Sequence, residues 1–203
     1  MLTLAITMQS RWHVGTGDGP AETDAAIYRL AGQPAIPLTQ VKDLIREHAE
    51  AIAATIGLGP DDVDAVFGRP GSTSPTGEWE WTSAVPAGAI PLGSAVSVHH
   101  RRDRETGVVP SDGLFDFEVA PPAALAATAG PRDGVPAHLD HVVLVGLAAA
   151  TVRRVGKRRA RGFGRCRIVP SWAGAITGHT GQQAFDLAAL VERSSALTPE
   201  ALR

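Results

Sequence analysis

The stretch HLDHVVLVGLAAATVRRVGKRRARGFGRCRIVP, residues 138–170, changes its periodicity twice. Leu139, Val142, Val143, Gly146, Leu147 and Ala150 recur at helical spacing, which predicts an amphipathic helix over 138–155. Gly162 and Gly164 then interrupt the chain, and residues 165–170 read as a closing strand. A helix that returns through a glycine-bearing loop to a last strand is the second half of a βαββαβ unit.

The first half is legible at the other end of the chain. Leu2, Leu4, Ile6 and Met8 alternate with Thr3, Ala5, Thr7 and Gln9, the period-two pattern of a half-buried strand. Residues 13–24 are rich in glycine and small polar residues and read as a loop. Pro34 and Pro37 frame a short extended piece, after which Thr39 has the position of a helix N-cap. Val41, Leu44, Ile45, Ala49, Ile52, Ala53 and Ile56 carry the first helix, which Gly57 and Gly59 end. A short helix is expected over 61–67 and a surface loop over 69–78. Strands are expected at 94–99 and 114–119, a long connection at 120–136, and a C-terminal helix at about 182–193. The order strand, helix, strand, strand, helix, strand predicts an α+β protein with a ferredoxin-like (RRM-like) βαββαβ core. One domain over residues 1–203 fits the length, with a hairpin insertion at about 99–113 and a glycine-rich basic loop at 156–165.

Composition narrows the classes further. With 44% hydrophobic and 20% charged residues the chain can bury a core. No apolar run approaches the roughly 18–20 residues of a membrane span, so no membrane partner is expected. The first residues read as a strand rather than a secretory leader. One cysteine, Cys166, excludes an internal disulfide framework and fits a reducing, cytoplasmic setting.

The net charge of -2 hides a strong asymmetry. Residues 153–167 hold eight cations (Arg153, Arg154, Lys157, Arg158, Arg159, Arg161, Arg165, Arg167) and no acid. His99 to Arg104 adds Arg101, Arg102 and Arg104 against Asp103. The remainder has eight cations against 20 acids. Two tight basic clusters on an acidic body are an electrostatic footprint for phosphates.

The chemistry at the glycine loop fits such a ligand. Gly162 and Gly164 permit positive φ and a close backbone approach. The arginines beside them can fork onto phosphate oxygens. Phe163 either stacks on a base or packs into the core of the last strand. Ten aromatics in 203 residues make no aromatic platform, so binding is expected to rest on phosphates and to be salt-dependent. His138-x-x-His141 has the spacing of two metal ligands on a helix but lacks a third, and Cys166 is expected to face the core.

Three segments, in order, resemble the RAMP superfamily of CRISPR-associated RNA-binding proteins, most of all the backbone-type subunits of type III effector complexes. The first is His13-Val14-Gly15-Thr16-Gly17, then Asp24, then Gly32-Gln33-Pro34-Ala35-Ile36-Pro37. Lys42 and Arg46 fall on that family's lysine and arginine positions, while Leu38, Thr39, Gln40 and Asp43 stand where its glycines and serines would. The second is Arg102-Asp103-Arg104-Glu105-Thr106-Gly107 followed by Leu114-Phe115-Asp116-Phe117-Glu118, similar to the family's thumb region. The third, Arg159-Ala160-Arg161-Gly162-Phe163-Gly164-Arg165, is similar to its glycine-rich loop.

The resemblance implies an RNA-binding subunit of a type III CRISPR complex, partnered by guide RNA, target RNA, other RAMP subunits and further copies of itself. It implies RNA contacts by His13, Lys42, Arg46, Arg101, Arg102, Arg104, Lys157, Arg158, Arg159, Arg161, Gly162, Phe163, Gly164 and Arg165. It also points to Asp24 as a ligand of Mg²⁺ or another divalent metal in target cleavage, with Asp18 and Glu22 nearby. Two alternatives remain within the family: a stand-alone endoribonuclease that processes guide precursors through His13 as general acid/base, and a non-catalytic capping subunit. Outside it, a basic loop on a ferredoxin-like domain would suit an acidic protein or a nucleotide.

Overall fold

A computed structural model describes residues 1–15, 25–69, 77–88, 90–100, 105–110, 114–156 and 162–177. The expectations on Asp18, Glu22, Asp24, Arg101, Arg102, Arg104, Lys157, Arg158, Arg159, Arg161 and the helix at 182–193 lie outside the described residues.

The alternating residues at the start form β1 (Leu2–Met8), whose even positions are buried and odd positions exposed. A two-residue ribbon follows, β2 (Arg29–Leu30) and β3 (Gln33–Pro34), turning at Ala31 and Gly32, both with positive φ. Helix α1 (Leu38–Ile52) buries Val41, Ile45 and Ala49 and runs into a 3₁₀ turn that Gly57 closes at φ 80°. It starts one residue before the expected cap. Pro37 holds the N-cap position and offers no side-chain acceptor, and Ser83 Oγ accepts the Leu38 N–H at 3.1 Å instead. Helix α2 (Pro60–Phe67) buries Val63, Val66 and Phe67. Then come β4 (Trp79–Trp81), β5 (Val85–Pro86), β6 (Ala95–His100), β7 (Leu114–Val119), β8 (Ala124–Pro131), α3 (Leu139–Thr151) and β9 (Cys166–Trp172).

The main sheet runs β4-β8-β1-β9, with β5 also on β8, and its pairings are antiparallel. With α1 after β1 and α3 after β8, this is the ferredoxin-like order. The core lies between one sheet face (Leu2, Leu4, Ile6, Leu125, Ala127, Ala129, Ile168) and the two helices. The fold class is as the sequence suggests, but the two middle strands are different ones. Among the described residues, strands β6 and β7 pair only with each other, from Ala95↔Val119 to His100↔Leu114, and form the arms of an inserted hairpin. The middle strands of the core are β4 and β8, and β8 occupies the stretch expected to be a connection. Its Leu125, Ala127 and Ala129 alternate inward beside β1, but alanine on both faces conceals the period.

Helix α3 also ends earlier than its pattern suggests. Val152 is its C-cap in extended conformation, because the next residues pair with the returning chain: Val155 N–H donates to Gly164 O at 2.8 Å and Cys166 N–H to Arg153 O at 2.9 Å. Among the described residues, no helix is long and apolar enough to cross a membrane.

Candidate functional site

The basic loop has a closed neck. Arg154 bridges Arg165, Val155 pairs with Gly164, and Gly164 N–H donates to Arg11 O at 2.9 Å. Gly162 and Gly164 both have positive φ, 86° and 67°, as their freedom from Cβ allows. A Cβ on Gly164 would run into the Val155 carbonyl, so that position is closed to other residues, whereas one on Gly162 would meet nothing within 4 Å. Around this neck, Arg11, Arg153, Arg154, Arg165 and Arg167 are exposed. Arg11 was not among the sequence candidates. It lies far from the basic run in sequence, and only the pairing of the chain after β1 with Gly164 brings it there.

Phe163 is neither in the last strand nor in the core. It lies half-buried in the turn between the two glycines, edge-on to Phe117 (5.6 Å between ring centroids) and to His99 (6.0 Å) of the hairpin. The Arg11 guanidinium sits 5.8 Å from its ring centre. His99 stacks on Phe117 at 4.6 Å and on Phe115 at 5.8 Å, and its Nε2 is 2.9 Å from Ser97 Oγ. The hairpin face that carries His99, Phe115 and Phe117 thus leans on the glycine turn. His99 belongs to this aromatic cluster, rather than serving only to extend the basic patch.

A second knot of contacts joins the hairpin to the loop that follows β1. Gly15 bridges Ile27, and Tyr28 N–H donates to Val14 O at 2.6 Å, so residues 14–15 are paired with residues 27–28. Glu118 of β7 grips this stem. Its carboxylate accepts from Ile27 N–H at 3.0 Å and from Arg29 and Ser94, its N–H donates to Ala25 O at 3.0 Å, and its carbonyl lies 2.7 Å from His13 Nδ1. Burial by itself would raise the Glu118 carboxyl. The hydrogen bonds from Ser94, Ile27 and Arg29 outweigh it and hold the group below its ordinary value.

Two candidates change role. His13 is 2% exposed, set against Phe117 and Glu118, so it is a packing residue and does not reach a surface ligand. Arg46 is committed to the fold: its guanidinium meets Asp64 Oδ1 at 2.9 Å, Glu50 Oε1 at 2.7 Å and Gly68 O, with 16% of the side chain exposed. Lys42 sits one turn earlier on α1, with Asp43, Arg46 and Arg132 as its charged neighbours. Burial lowers its ammonium pKa, and the two arginines add to the effect against Asp43.

His138 and His141 approach to 5.5 Å between ring centroids, and His141 Nε2 is 3.8 Å from Asp62 Oδ1. Among the described residues, no group of three or more His, Cys, Asp or Glu could hold a metal ion. Cys166 is buried, and burial pushes its thiol up to about 11 despite the nearby Arg153.

The architecture has relatives among solved structures. A chain of the type III-B Cmr-beta complex bound to cognate target RNA superposes with TM-score 0.63 at 12% identity, covering 83% of this chain and 96% of that one. The apo state of Cmr-beta gives 0.64 at 11% identity, covering 82% and 95%. A chain of a type IV-B CRISPR complex gives 0.57 at 18% identity, covering 88% and 95%. At these identities the likeness speaks for the fold alone. No curated protein matches the chain. The sequence pattern of the RAMP superfamily matches residues 5–167, from within the first strand through the glycine turn into the last, and the chain belongs to the RAMP superfamily.

Proposed function

We propose that this protein is an RNA-binding subunit of a CRISPR ribonucleoprotein complex that holds guide RNA at the glycine turn and its cationic loop. The observation that carries this reading is the neck at Val155–Gly164. It displays Arg154, Arg165 and Arg167 at the surface and anchors both ends of a segment containing Lys157, Arg158, Arg159 and Arg161. Cations on a short glycine-bounded loop suit a phosphate backbone, and the acidic remainder of the chain restrains non-specific adhesion. Family membership and the RNA-bound and CRISPR complexes among the structural relatives support the same reading. The partners are guide RNA, target RNA and other subunits. Purification of the complex from its host followed by sequencing of the bound RNA tests it: a uniform set of guide-length RNAs is expected, and their absence would overturn it.

The finer proposal is that Asp24 supports divalent-metal-dependent cleavage of target RNA. Its support is the resemblance of the turn, the aspartate and the Gly32–Pro37 run to backbone subunits, together with a loop stem that Glu118 fixes beside the hairpin. In this proposal Mg²⁺ is held by Asp24, with the nearby Asp18 or Glu22 able to assist and waters and RNA phosphates completing the shell. Asp24→Ala in the reconstituted complex is expected to abolish Mg²⁺-dependent cleavage while RNA binding persists. Undiminished cleavage would leave a binding subunit only. The burial of His13 speaks against guide-precursor processing through that residue.

A further inference from the structure

Several of the described arginines are held by the protein's own acceptors. Arg29 meets Glu118, Arg46 meets Asp64 and Glu50, Arg69 meets Asp61 and Asp64, and Arg153 donates to carbonyls at the end of α3. Arg11 is different. It is exposed, and among the described residues no acid pairs with it and its side chain donates no hydrogen bond. What holds its guanidinium is the Phe163 ring, 5.8 Å from the centre. Neither partner is loosely placed. Gln9 N–H donates to Arg165 O at 2.8 Å, Arg165 N–H to Ser10 Oγ at 2.9 Å and Gly164 N–H to Arg11 O at 2.9 Å, so the Arg11 backbone is laid along the glycine turn. The Phe163 ring is braced edge-on by Phe117 and His99, at 5.6 and 6.0 Å.

Resting on the RNA-binding reading, we propose that Arg11 binds a backbone phosphate of RNA beside the glycine turn, and that Phe163 is its positioning residue rather than a platform for a base. A guanidinium over an aromatic ring gains a cation–π attraction and gives up little hydration. Its N–H donors lie in its own plane, so the ring leaves them free to fork onto phosphate oxygens. The long, otherwise flexible side chain is thereby ordered before RNA arrives, which lowers the entropic cost of the contact. Arg165, exposed on the segment that pairs with Gln9, offers a second cation to the same stretch of backbone. Phe163, braced by two hairpin rings and covered by Arg11, has little surface left for a nucleotide.

The test is a double-mutant cycle on uridine-oligonucleotide binding by the full-length chain, read at several salt concentrations. Each phosphate neutralised on a single strand contributes about 0.7 to the slope of log affinity against log salt. Arg11→Gln, at an exposed position, is expected to lower the slope by about 0.7 and to weaken binding about tenfold. Arg69→Gln removes an equal charge from a surface arginine that its own acids hold, and should leave the slope unchanged. Phe163→Leu keeps an apolar side chain but loses the ring face. It should weaken binding about threefold in the parent and not at all in the Arg11→Gln background, while Phe163→Tyr, which keeps the face, binds as the parent does. An unchanged slope in Arg11→Gln overturns the phosphate contact. A Phe163→Leu loss of equal size in both backgrounds, as a lost base stack gives, overturns the positioning role. If the unaltered chain shows no salt-sensitive affinity, the RNA-binding reading itself fails, a separate result.

Discussion

Replacing Gly164 by alanine should cost about 2 kcal/mol more than the same change at Gly162, although both glycines have positive φ. At Gly162 the added Cβ meets nothing within 4 Å, so only the left-handed backbone strain remains, about 1–2 kcal/mol. At Gly164 the same strain applies, and the Cβ also collides with the Val155 carbonyl. Relief requires the turn to move away from Val155 and Arg11, which endangers the bonds Val155 N–H to Gly164 O (2.8 Å) and Gly164 N–H to Arg11 O (2.9 Å). Those bonds are worth about 1 kcal/mol each. The total for Gly164→Ala is about 3–4 kcal/mol, or roughly 6–16 °C in melting temperature for a chain of this size. Urea and thermal unfolding of the two variants side by side measure the difference. If they agree within about 0.5 kcal/mol, the neck is not the rigid support described above.

Two further outcomes follow from the fixed charges. Because the Glu118 carboxyl lies below its ordinary value in the fold, its contribution to stability is complete above the unfolded-state pKa of about 4.3 and is lost as pH falls through and below it. Glu118→Gln should therefore be less stable than the parent at neutral pH, with the gap closing in acid. A gap that stays constant in urea titrations across that range refutes the clamp. Arg46→Ala should cost about 2 kcal/mol by leaving the Gly68 carbonyl without its donor and Asp64 with Arg69 as its remaining partner, yet leave the slope of RNA affinity against salt unchanged. A slope reduced by about 0.7 would return Arg46 to the RNA-contacting set.

How far the sequence could be read depended on whether a residue's surroundings were local. Strand β1 was legible because its large residues alternate with small polar ones, and α1 because its apolar stripe has one period over 15 residues. Strand β8 was not, since alanines on both faces erase the alternation, and β4 is only three residues long. The hairpin arms were found but misplaced. Their alternation is real, but which strand they pair with is settled by partners distant in sequence.

The same boundary runs through the candidate site. Fold class, family resemblance and uneven charge are properties of order, period and composition, and all three can be read along the chain. Which cations serve a surface and which hold the core follows from packing instead. It enclosed His13, tied Arg46 to Asp64, brought Arg11 over Phe163 and set His99 against the glycine turn. Each of these depends on a contact between residues far apart in the chain or on burial from water, and neither quantity is written in any local window of sequence.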